Sequence, residues 1–103
     1  TLSLNKNKLT SLPNSLGDLP ELKELFLNNN ELQSLPDNLG NLRKLKDFFL
    51  RQNQLQSFPE KCAELESLKF LDLRKNPISS LALKYDPMQL KIMYPSQKGD
   101  KKI

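Results

Sequence analysis

Glu24 and Asp47 are carboxylates 23 residues apart in a chain of 103. Brought side by side, two carboxylates could share a cation. Lys23 and Lys46 immediately precede them, and a solvated cluster of mixed charge accounts for that arrangement with no bound ion. Cys62 is the one cysteine, which excludes an intramolecular disulfide and a multi-cysteine zinc site. A nucleophilic thiol and a buried inert one are the roles left to it. The absence of histidine removes His-based triads, imidazole acid–base chemistry and imidazole metal ligation. The three glycines, Gly17, Gly40 and Gly99, make no phosphate-cradling loop. No catalytic residue, metal site or cofactor is therefore expected, and a carboxylate-only enzyme is the weakest reading.

The interval between those two carboxylates organises the whole chain. Asparagine recurs at 7, 30, 53 and 76, each 23 residues after the last. In that register LKELFLNNNELQSLPDNLGNLRK begins at 22, LKDFFLRQNQLQSFPEKCAELES at 45 and LKFLDLRKNPISSLALKYDPMQL at 68, while residues 1–21 are the same unit without its first two positions. Apolar residues fill matching columns: Leu2, Leu25, Phe48 and Leu71; Leu4, Leu27, Leu50 and Leu73; Leu9, Leu32, Leu55 and Ile78; Leu12, Leu35, Phe58 and Leu81; Leu16, Leu39 and Cys62; Leu19, Leu42 and Leu65. Each column is expected to point inward in every copy. Spacing of two, as at Leu25 and Leu27, marks a short strand, and spacing of three, as at Leu39, Leu42 and Leu45, marks a returning turn of helix or 3₁₀-helix. Pro13, Pro36 and Pro59 stand just before that return, where a fixed φ and a missing N–H suit the first turn.

The pattern L-x-x-L-x-L-x-x-N-x-L, present as Leu22, Leu25, Leu27, Asn30 and Leu32 and again as Leu45, Phe48, Leu50, Asn53 and Leu55, resembles the leucine-rich repeat. With its L-P-x-x-L-x-x-L extension it is similar to the 23-residue class of intracellular signalling scaffolds and of bacterial effector and surface proteins. The resemblance covers residues 1 to about 85 and implies an α/β fold: a right-handed β-α (3₁₀) solenoid with a curved parallel sheet on its concave face. It implies a non-catalytic module that binds a protein or peptide. Stacked copies share one core that no copy could build alone. Asn7, Asn30, Asn53 and Asn76 are expected to form a structural ladder, their amides satisfying backbone groups of their own copy and of the next.

Strand alternation places the residues between inward leucines on the concave sheet, with equivalent positions about 4.8 Å apart. Three columns result: Thr1, Glu24, Asp47 and Phe70; Ser3, Phe26, Phe49 and Asp72; Asn5, Asn28, Arg51 and Arg74. The adjacent Phe48 and Phe49 thus divide, Phe48 entering the core and Phe49 standing on the sheet. Exposed aromatics beside arginine are the residue types of contact sites. A partner-binding patch is expected over Phe26, Phe49, Phe70, Arg51, Arg74, Glu24, Asp47, Asp72 and Asn28. The competing reading is that the phenylalanines only pack across strands, worth roughly 0.2 to 1 kcal/mol a pair. A second function competes with binding, since Leu2 and Leu4 begin an edge strand without cover, through which a homodimer could form.

The repeats are assigned to residues 1–81, a C-terminal cap to 82–95 and a flexible basic tail to 96–103. Four lysines, Lys91, Lys98, Lys101 and Lys102, against Asp100 give residues 91–103 a net charge of +3, leaving +1 of the total +4 for the rest. Basic residues of the body are interspersed with acids, so no nucleic-acid stripe is expected. No apolar run of about 18 residues exists, so membrane insertion is not expected. The chain opens at Thr1 with no signal segment; residues missing before it are one explanation of the bare edge, and both a cytoplasmic and a secreted or surface location stay open.

Overall fold

The computed structural model describes residues 1–59, 62, 65–78 and 91–93. Leucines spaced by two set down one short strand per copy: β1 (Leu2–Ser3), β2 (Glu24–Phe26), β3 (Asp47–Phe49), β4 (Phe70–Asp72) and β5 (Lys91–Met93). They pair in sequence order, all parallel, in one five-stranded sheet. Register follows the leucine column, with Leu2 opposite Leu25, Leu25 opposite Phe48 and Phe48 opposite Leu71. This is the solenoid expected of the repeats. At the last step the pairing of Phe70 with Lys91 shortens the interval by two residues, and Ile92 falls opposite Leu71. Of the stretch assigned to a cap, only 91–93 is described, and it continues the sheet; the tail at 96–103 lies outside the described residues.

Among the described residues the chain returns through the 3₁₀ turns η1 (Asn14–Asp18) and η2 (Asp37–Asn41). Pro13 and Pro36 precede them at φ −73° and −71°. The N–H of Leu16 donates to the Pro13 carbonyl and that of Leu39 to Pro36, both at 3.1 Å, and Cys62 donates to Pro59 at 3.0 Å. Gly17 is buried where η1 meets η2, and a Cβ there would lie 2.1 Å from the Asn38 carbonyl oxygen. A side chain at 17 would therefore force the two coils apart.

Core burial follows the columns from the second coil on. Leu25, Leu27, Leu32, Leu39, Leu42, Leu45, Phe48, Leu50 and Leu55 are wholly buried, and the Phe48 ring meets Phe58 at 6.3 Å between centroids. The first coil departs from the expectation of inward columns throughout. Leu2, Leu4, Leu9 and Leu12 are half-buried, and Leu19 is 40% exposed although its counterparts Leu42 and Leu65 are not. Each leucine is covered partly by the coil before it, and among the described residues no coil precedes this one.

The asparagines join coils in the opposite direction from that expected. Asn53 Nδ2 donates to the Leu27 carbonyl of the preceding copy at 2.9 Å and to its own Leu50 at 3.1 Å, while Oδ1 accepts from Leu32 N–H at 3.0 Å. Asn30 reaches Leu4, Leu27 and Leu9 in the same way, and Asn76 reaches Leu50, Leu73 and Leu55. Asn7 does not share the role: it is exposed, and its amide nitrogen meets only the Asn5 carbonyl. A bond directed backwards needs a copy behind it. The bend that aims each buried amide inward uses a left-handed residue just ahead of it, Asn29, Gln52 and Lys75 at φ 60°.

Asn53→Ala leaves the buried Leu32 N–H unpaired and removes one of two amide donors from each of the Leu27 and Leu50 carbonyls, so it should cost roughly 1 to 3 kcal/mol. Asn7→Ala should change stability by less than about 0.5 kcal/mol. Urea denaturation of both variants tests the difference, and equal losses would contradict the ladder's direction.

Candidate functional site

Strand pairing sets Glu24, Asp47 and Phe70 in one row across the sheet and Phe26, Phe49 and Asp72 in the next. Asn28, Arg51 and Arg74 follow two residues further along each strand. The third row begins as a second set of bridges between coils. Asn28 N–H donates to Asn5 Oδ1 at 2.7 Å, and Arg51 N–H to Asn28 Oδ1 at 2.8 Å. Asn28 was expected among the contact residues, but its side-chain oxygen is engaged by the neighbouring backbone.

The aromatic rings make a continuous strip. Phe26 and Phe49 stack at 4.6 Å between centroids with their planes 4° apart, and Phe70 tilts against Phe49 at 5.2 Å and 44°. Parallel strands at a fixed spacing hold directly opposed rings face to face, and the diagonal position tips the third. All three are half-buried rather than fully exposed, because each ring shields its neighbour. The strip is thus partly open to solvent.

At β4 the row ends on Asp72, and the structure overturns its place among the contact residues. Asp72 is 4% exposed. Arg74 closes over it, donating from Nε to Oδ1 at 2.9 Å and from Nη2 to Oδ2 at 2.8 Å, with a further bond from its own backbone N–H at 3.1 Å. Burial alone would push this carboxyl up; the Arg74 hydrogen bonds and the charges of Arg74 and Arg51 outweigh it and hold the group below its ordinary value. Arg74 is thereby occupied, and its guanidinium is held in its charged form by the same contact. Arg51 is exposed and forms no ion pair among the described residues.

Glu24 and Asp47 stand opposite each other on adjacent strands, half-buried, with the Thr1 hydroxyl donating to Glu24 Oε1. Lys23, Lys46 and Lys69 are exposed at the N-terminal rim of the strands, and the lysine pair found there joins Lys44 to Glu21 at 3.1 Å instead. Among the described residues no three acidic or thiol side chains gather as a metal site. Cys62 is buried, and desolvation, with the nearby Asp37 charge second, pushes its thiol up to about 12. Such a thiol stays protonated and poorly nucleophilic at neutral pH.

A family model for the leucine rich repeat matches residues 20–78. Among solved structures, a leucine-rich-repeat protein of Leptospira interrogans aligns with a TM-score of 0.62 and 28% sequence identity over 90% of this chain. This chain spans 30% of the length of that protein. No curated protein matches significantly in sequence.

The lowered Asp72 value has a consequence for stability. A carboxyl whose folded value lies below its unfolded one, near 3.8, adds stability above that pH and loses it as pH falls through the folded value. Asp72→Asn should therefore destabilise the chain at pH 7, by an amount that shrinks as pH falls below about 3.8. Urea midpoints for both proteins across that range check this; a gap that stays constant would refute the charge pairing.

Proposed function

This chain belongs to the leucine-rich repeat family, and on that premise we propose that it is a non-catalytic interaction module holding a protein or peptide on its concave sheet. The observation that carries this reading is the strip Phe26, Phe49 and Phe70, half-buried and in ring contact, beside an exposed Arg51 that forms no salt bridge among the described residues. Cross-strand stacking by itself contributes roughly 0.2 to 1 kcal/mol a pair. That gain does not require an apolar strip on the one sheet face the core leaves free. Aromatic and arginine side chains that share a patch are the residues most often responsible for binding energy. A non-catalytic role agrees with a chain that lacks histidine and buries its one thiol.

A specific feature favours a second reading, self-association through the first coil. β1 is paired on one side only, and Leu19 lines a hollow with Leu2, Pro20 and Leu22. A second copy covering that apolar end would bury Leu19.

Two experiments separate the readings. Changing Phe26 and Phe49 together to Ser should abolish partner capture in a crosslinked pull-down while circular dichroism stays that of the folded chain. Undiminished capture by the folded variant would sink the first reading. For the second, sedimentation velocity over a wide concentration range should show a dimer that Leu19→Glu dissociates, and a monomer at every concentration rejects it.

A further inference from the structure

Charge across the binding face is unequally compensated, and the imbalance selects a ligand. Asp72 is a single buried carboxylate flanked by two guanidiniums. Arg74 binds both of its oxygens, so Arg51, which acts on Asp72 through its charge alone, makes no salt bridge among the described residues and its guanidinium is left exposed. Lys75, next to Arg74 in the chain, is exposed. At the other end of the strands Glu24 and Asp47 repel anions from their row, although Lys23 and Lys46 stand at the rim beyond them. Along β3 the order is therefore acid at Asp47, aromatic at Phe49, cation at Arg51, at intervals of two residues.

Resting on the reading of this face as a peptide-binding surface, we propose that its occupant is an extended acidic segment. An apolar side chain of the segment seats on Phe26 and Phe49, and a carboxylate two residues away meets Arg51. The spacing follows from backbone geometry. An extended ligand directs every second side chain to one side and rises about 3.3 Å per residue, as β3 does. An apolar residue centred on Phe49 thus sets its neighbours two positions away over Asp47 and Arg51. Asp47 then fixes which neighbour is acidic, because a carboxylate over Asp47 is repelled while the same group over Arg51 gains a charge-assisted bond.

Fluorescence anisotropy of three labelled peptides with the full chain tests this. The peptides share a central Phe with Ala spacers and carry Glu, Gln or Lys two residues after it. The Glu peptide should bind roughly fivefold tighter than the Gln peptide, and the Lys peptide more weakly than either. The preference should shrink as salt is raised and reverse between Glu and Lys in the Arg51→Glu variant. If all three bind equally and Phe49→Ser removes them all, the aromatic site stands but the charge assignment is overturned. If the Glu preference persists in Arg51→Glu, the carboxylate is held elsewhere and the proposal is likewise overturned. If no peptide binds, this proposal fails while capture of a folded partner is still decided by the Phe26 and Phe49 pull-down.

Discussion

The structure depends on a hydrogen bond that one coil cannot make with itself. In each of three copies a buried asparagine amide reaches back to the carbonyl of the coil before it, while its oxygen takes an N–H from that same coil. The groups it satisfies belong to the bend after a strand, where the backbone has left the ladder and water is excluded. Leucine could fill that space but would leave those polar groups unpaired, each at a cost of roughly 1 to 3 kcal/mol. The amide therefore fixes coil length, because only a unit of constant length returns the next asparagine to the same bend. Leucine columns, strand register and the close approach of η1 to η2 at Gly17 all follow from that constant length.

Most of the fold was legible because a period of 23 residues carries its own register. Reading Leu25, Phe48 and Leu71 as one column already implied which strands pair and that Phe48 would be buried with Phe49 outside. Three features were not legible, each for a physical reason. The backward direction of the asparagine bonds depends on which coil's bend lies within reach, which residue type does not encode. The left-handed bend is occupied by Asn29, Gln52 and Lys75, and two of these give no signal for a positive φ, since glycine and asparagine are the types that announce it. The fifth strand breaks the period by two residues, so the 23-residue columns do not point to Ile92 as the partner of Leu71.

The candidate face was legible by row and less so by availability. Alternation placed twelve side chains on one surface, nine of them in the expected contact patch, but competition for hydrogen bonds among them could not be read from spacing. Asn28 spends its oxygen on the backbone of the next coil, and Asp72 disappears beneath Arg74. The side chains not engaged in this way are fewer than the columns suggested: three rings, the flanking carboxylates Glu24 and Asp47, and Arg51.

That narrowing also explains the shape of the aromatic strip. Had the row of Phe26 and Phe49 continued with a third phenylalanine at 72, the stack would have run straight on toward β5. Asp72 interrupts it, and because a buried carboxylate needs a cation, Arg74 is drawn over that position. The aromatic surface instead turns one row aside to Phe70, which tilts by 44° to meet Phe49. One ion pair, its carboxylate buried and its guanidinium half-exposed, therefore does two things at once. It bounds the apolar patch on the β4 side, and by engaging Arg74 it leaves Arg51 as the exposed guanidinium of that row without a salt bridge.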